Sequence, residues 1–116
     1  VESMISRANA NYQRISVRKA RVIINLVRGR DAAEALQLLD FVPKAASPVV
    51  KKLLASAIAN AKVKRPDVDV DSLYVSHASA DKASTGHMRR WRPRAMGRAT
   101  QIEKGVSHIR IELDAR

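Results

Sequence analysis

The sequence has no cysteine, four glycines, four prolines and only 3% aromatic residues. Without cysteine there is no disulfide framework, no thiolate metal site and no thiol nucleophile, and a reducing compartment fits. So few rings cannot wall a deep ligand pocket. No stretch reaches the ~20 consecutive apolar residues of a membrane span, and the opening residues lack the basic-then-apolar pattern of a signal peptide. A soluble, intracellular protein is expected. Acidic groups are scarce too: 11 Asp and Glu stand against 22 Lys and Arg, a formal charge of +11. Such a balance calls for a polyanionic partner, with nucleic acid ahead of an acidic membrane surface.

What remains is enough for one domain. A chain of 116 residues with 46% hydrophobic content supports a single modest core of Ala, Val, Ile and Leu. The stretch Met4 to Tyr12 alternates loosely and reads as a short strand with Met4, Ala8 and Tyr12 on one side. Ser16 then caps a helix over Val17 to Arg28, whose Val17, Ala20, Ile23, Ile24 and Val27 share a face and which Gly29 ends. Asp31-Ala32-Ala33-Glu34 resembles a capping box opening a second helix to about Leu39. Ser47-Pro48 starts a third, with Val50, Leu53, Leu54, Ala57, Ile58 and Ala61 at helical spacing up to Arg65-Pro66. Shorter periodicity follows. A strand is predicted from about Ser72 to Asp81, with Leu73 and Val75 facing one way and Tyr74, Ser76 and Ala78 the other. A half-buried strand carries Ile109, Ile111 and Leu113 between His108, Arg110 and Glu112.

Two basic constellations stand out. Arg18, Arg21, Asn25 and Arg28 recur three, four and three residues apart, so they share one face of the first helix, flanked by Arg14 and Lys19. A solvated helix side is the plain alternative, but the first thirty residues hold seven basic groups and one acid, Glu2. The second constellation is His87-Met88-Arg89-Arg90-Trp91-Arg92-Pro93-Arg94-Ala95-Met96-Gly97-Arg98, with five arginines in twelve residues and no acid. Guanidinium forks suit phosphate oxygens and stack on bases. Trp91 among them is expected to stack on a base, an arginine or a partner, rather than fold back on the core. If the strands on either side pair, this segment is a two-stranded arm, and like charges with little apolar area need an external polyanion to hold them in shape. Catalysis has no foothold. Asp67, Asp69 and Asp71 lack the glycine and closing Glu of a calcium loop, and His77, His87 and His108 lack metal-ligand spacing. Ser16 and Ser47 read as caps rather than nucleophiles.

The order of motifs resembles a known family. Arg14-Ile15-Ser16-Val17-Arg18-Lys19-Ala20-Arg21, Val27-Arg28-Gly29, Ser56-Ala57-Ile58-Ala59-Asn60-Ala61, Pro93-Arg94-Ala95-Met96-Gly97-Arg98-Ala99 and Ser107-His108-Ile109 are similar, in sequence and order, to the bacterial large-subunit ribosomal protein numbered twenty-two. The resemblance covers nearly the whole chain. It implies an α+β fold, three helices packed on a three-stranded antiparallel sheet with a long protruding β-hairpin: one domain over residues 1–116, with its body at about 1–78 plus 102–116 and an arm at about 79–101. It further implies a non-enzymatic, cytoplasmic constituent of the large subunit, which binds ribosomal RNA of several domains early in assembly. The hairpin would line the nascent-peptide exit tunnel beside the ribosomal protein numbered four, near the macrolide site. No cofactor, metal or membrane is implied. RNA-binding residues would be Arg14, Arg18, Lys19, Arg21, Arg28, His87, Arg89, Arg90, Trp91, Arg92, Arg94, Arg98 and His108, with Met88, Arg89 and Arg90 at the tunnel-facing tip. Between Asp81 and Met88 the chain is longer than the family's usual Gly-Pro-containing approach. The alternatives are a small basic RNA-processing enzyme using His87 or His108, or a nucleic-acid-compacting protein.

Overall fold

The alternation of Ile109, Ile111 and Leu113 with polar neighbours makes Ser107–Ala115 a strand with one face in the core, and it lies in the middle of the sheet. The computed structural model describes residues 5–84, 90–102 and 105–115. In chain order these form β1 (Ser6–Gln13), α1 (Val17–Val27), α2 (Ala32–Phe41), α3 (Ala46–Lys64), a 3-10 turn at Val70–Ser72, β2 (Leu73–Lys82), β3 (Arg90–Pro93), a second 3-10 turn at Ala95–Gly97, β4 (Ala99–Ile102) and β5 (Ser107–Ala115). The main sheet has the order β1-β5-β2, antiparallel throughout, and β3 and β4 pair only with each other. Its inner face, with Ala8, Leu73, Val75, Ile109, Ile111 and Leu113, packs on Ala20, Ile23, Ile24 and Val27 of α1 and on Val50, Leu54, Ala57 and Ala61 of α3, all buried. The α+β expectation of three helices on a three-stranded antiparallel sheet is met.

Four local expectations are corrected. Both outer strands carry a bulge. In β1 the register slips between Ala10 and Gln13, Tyr12 takes a left-handed φ of 56°, and its ring is exposed instead of joining Ala8 in the core. In β2 the slip lies between Val75 and His77. One extra residue reverses the side-chain parity, so Ala78 and Ala80 are buried on the same face as Leu73 and Val75. The third correction concerns α2. Asp31 forms no side-chain cap; its backbone bridges to Tyr74, while Glu34 pairs with Arg30 at 2.7 Å. The fourth is Ser47, which lies inside α3 rather than at its cap; it is buried, and its Oγ has no partner among the described residues. Ser16 does cap α1, accepting from the Lys19 N–H.

The margins of the sheet are covered by side chains and backbone of the helical layer. On β2, the Arg21 Nε donates to the Ala80 carbonyl at 3.1 Å, and Arg28 donates to the Ala78 carbonyl through Nε at 3.2 Å and Nη2 at 2.7 Å. Gly29, with φ +80°, turns the chain out of α1 so that its N–H reaches the Val75 carbonyl. On β1, the Asn60 Nδ2 donates to the Arg7 carbonyl at 3.1 Å. Such cover blunts an edge that would otherwise pair with another chain.

The ladder between β2 and β5 runs through Lys82–Ser107, and the Ala83 N–H continues it to Val106. Residues 79–83, placed at the arm's start by the resemblance, therefore belong to the main sheet, and Ala80 and Ala83 are buried. The radius of gyration is 17.4 Å and the extents are 66 × 29 × 21 Å, whereas a compact chain of this length has a radius of about 13 Å.

Candidate nucleic-acid interface

On the β3–β4 ribbon, Arg90 pairs with Ile102, Trp91 with Gln101, Arg92 with Thr100 and Pro93 with Ala99. Met96 at φ 62° and Gly97 at φ 71° reverse the chain, and the Arg94 N–H closes the loop on the Arg98 carbonyl at 2.7 Å. The hairpin turn is thus Arg94–Arg98. Of the residues expected at the tunnel-facing tip, Arg90 opens β3, at the opposite end of the ribbon from the turn, and Met88 and Arg89, like His87, lie outside the described residues. Pro93 suits the entry to a turn on an unpartnered edge, where its missing N–H is no loss, and Gly97 meets the positive φ.

Every side chain described on this ribbon, from Trp91 to Ala99, is exposed. Trp91 is 65% exposed and Met96 93%. Trp91 does not fold back onto the core, as expected. The period of two sets Arg92 on one side of β3 and Trp91 on the other, so charge and ring are offered on opposite faces of a thin ribbon.

The second cationic surface is α1. Arg14, Arg18, Lys19, Arg21 and Arg28 are all exposed. Arg21 and Arg28 spend part of their donor capacity on β2, and the Arg28 Nη1 also donates to the Asn25 Oδ1 at 3.0 Å. No sequence signal points to these carbonyl partners, which are fifty and more positions away. His108 has a local role as well: its Nδ1 accepts the Tyr12 N–H at 3.1 Å, and the two rings meet edge to face at 4.6 Å. The ion pairs seen among the described residues are Arg30–Glu34, Lys51–Asp40 and Arg110–Glu112. Arg14, Arg18, Arg21, Arg28, Arg92 and Arg98 have no carboxylate partner there.

Two residues outside the expected set join the ribbon to the body. Gly105 comes so close to the cap of α1 that a Cβ would lie 2.8 Å from the Ser16 Cα, and the buried Ser107 donates from Oγ to the Ile15 carbonyl at 2.6 Å. The chain entering β5 is thereby docked on the start of α1. An open cleft of about 550 Å³ between β1 and α3 is lined by Asn9, Asn11, Gln13, Lys52 and Ser56 among others, and among the described residues no group of three or more His, Asp or Glu could hold a metal.

Residues 8–114 match the family described as Ribosomal protein L22p/L17e. The chain belongs to that family. It is 56% identical over 113 residues, 97% of this chain and 99% of its relative, to the large ribosomal subunit protein uL22 of Sorangium cellulosum (strain So ce56). It is 48% identical over 104 residues, 90% of this chain and 86% of its relative, to the protein of the same name from Lacticaseibacillus casei (strain BL23). The family is one of structural, non-enzymatic ribosomal proteins, so the RNA-processing alternative built on His87 or His108 falls. Among the described residues, no helix is long and apolar enough to cross a membrane.

Proposed function

We propose that this protein sits in the large ribosomal subunit in the cytoplasm, binds large-subunit ribosomal RNA of several domains, supports early assembly and lines the nascent-peptide exit tunnel with its β-hairpin. The body is residues 1–78 plus 102–116 and the arm is 79–101, the arm's first residues being rooted in the main sheet. The observation that carries the reading is the β3–β4 ribbon of this family member: arginine-rich, with every described side chain from Trp91 to Ala99 exposed. An isolated two-stranded hairpin is marginal in water, and phosphates around it would neutralise the arginines and release counterions. The RNA-binding set is Arg14, Arg18, Lys19, Arg21, Arg28, His87, Arg89, Arg90, Trp91, Arg92, Arg94, Arg98 and His108. Met88, Arg89 and Arg90 face the tunnel, next to the ribosomal protein numbered four and the nascent peptide. A folded RNA cleft, not a uniform duplex, suits an arm of this shape, which sets the DNA-compacting alternative behind.

Titrating the protein with fragments of large-subunit RNA at several salt concentrations tests this. Log affinity is expected to fall with log salt by about 0.7 to 0.9 per phosphate contact; a flat response overturns the reading. Replacing Arg89, Arg90, Arg92 and Arg94 together with alanine is expected to lower affinity by a hundredfold or more, roughly the loss of several charge-assisted hydrogen bonds, with the melting temperature of the body nearly unchanged.

A further inference from the structure

We infer that the seam between α1 and β2 is a preformed seat for two successive phosphates of one RNA strand. The inference rests on the RNA-binding reading above but concerns residues remote in sequence from the arm's arginines. The Arg21 and Arg28 side chains are held by the carbonyls of Ala80 and Ala78, which are two residues apart on one strand and so about 7 Å apart. That is close to the spacing of neighbouring phosphates along a nucleic-acid strand. Each guanidinium has five N–H donors in a fixed plane. Arg21 spends only Nε on the strand, so Nη1 and Nη2 are unengaged among the described residues. Arg28 uses Nε and Nη2 on Ala78 and Nη1 on Asn25, which leaves it a second N–H on each terminal nitrogen.

This arrangement solves the usual difficulty of an exposed arginine, whose long side chain must be ordered before it can grip anything. Here the carbonyl fixes one edge of the fork and the other edge stays available, so part of the ordering cost of binding is met in the free protein. No carboxylate among the described residues competes for either group. Asp81, the nearest acid along β2, pairs in register with His108 and so stands out of phase with the inward-facing Ala78 and Ala80. Arg18, one turn before Arg21 and also exposed, lengthens the track toward Arg14. A purely structural role, in which the arginines only cover the margin of β2, would use the same carbonyl bonds and need no phosphate.

The experiment uses the full chain and the same large-subunit RNA fragments. In R21Q/R28Q, with every arm arginine intact, the slope of log affinity against log salt is expected to become shallower by about 1.5, the share of two phosphate contacts. R21K/R28K keeps both charges but cannot hold carbonyl and phosphate in one plane; it is expected to keep the slope and bind about tenfold more weakly at each salt concentration. An unchanged slope in R21Q/R28Q leaves the arginines as covers for the strand and overturns the seat. Wild-type affinity in R21K/R28K overturns its preformed geometry, and that variant carries the test if R21Q/R28Q does not fold. A flat response in the unsubstituted protein would instead remove the RNA-binding reading itself.

Discussion

The two antiparallel ladders of this molecule have the same backbone pattern and opposite sources of order. In the main sheet, β5 buries Ile109, Ile111 and Leu113 completely between two neighbours and under two helices. In the β3–β4 ribbon, the side chains from Trp91 to Ala99 are exposed. Hydrogen bonds contribute only about 1 kcal/mol each after exchange with water, so a ladder without buried apolar area has little to stabilise it. The main sheet has a buried apolar face of its own, and the described side chains of the ribbon supply none. On the proposed function, a small basic protein combines a stable body with an extension that becomes firm on its RNA.

Substitutions ranked by expected effect sharpen that contrast. Ile111→Ala, at the centre of β5, should destabilise the body by about 2–5 kcal/mol, through lost burial and the cavity it leaves; a urea midpoint within error of the unsubstituted protein would mean that the core lies elsewhere. Gly105→Ala should cost about 1–3 kcal/mol, the usual range for forcing an atom into a filled space, because its Cβ would meet backbone at Ser16 and the docking of β5 on α1 would have to shift. Trp91→Ala separates the two regions most cleanly. Its melting temperature should not move, whereas RNA affinity should fall by the equivalent of about 1–3 kcal/mol if a base stacks on the ring. Gly97→Ala forces a side chain into a left-handed turn at a cost of about 1–2 kcal/mol, all of it inside the ribbon. Body unfolding should therefore stay within about 0.5 kcal/mol, and a larger shift would show that ribbon and body unfold as one unit.

The parts legible in the sequence are those with long, clean periodicity. The three helices and the alternation of β5 follow from spacing, the cap at Ser16 from its hydroxyl, and a Trp91 that does not fold back on the core from its arginine neighbours. What was missed lies where one residue breaks a period or where partners are far apart in the chain. The bulges in β1 and β2 reverse parity through a single insertion, and nothing in Ala10 to Gln13 or Val75 to His77 announces it; Tyr12 and Ala78 were placed on the wrong faces for that reason. Asp31 followed a capping rule, but a backbone bridge to Tyr74 fixed its geometry. In the candidate interface, the basic residues were visible as charge, while the double duty of Arg21 and Arg28 depends on carbonyls that only the fold brings near. The turn at Arg94–Arg98 has a local signal in Pro93, just before it, and in Gly97, within it.

The covered strand margins also bear on the time before assembly. With the outward-facing carbonyls of Arg7, Val75, Ala78 and Ala80 already occupied, a newly made copy offers a second copy little to zip onto along either side of its main sheet. Mutual repulsion between arginine-rich fingers discourages pairing through the ribbon as well. The free protein is in this way biased toward staying single in a crowded cell.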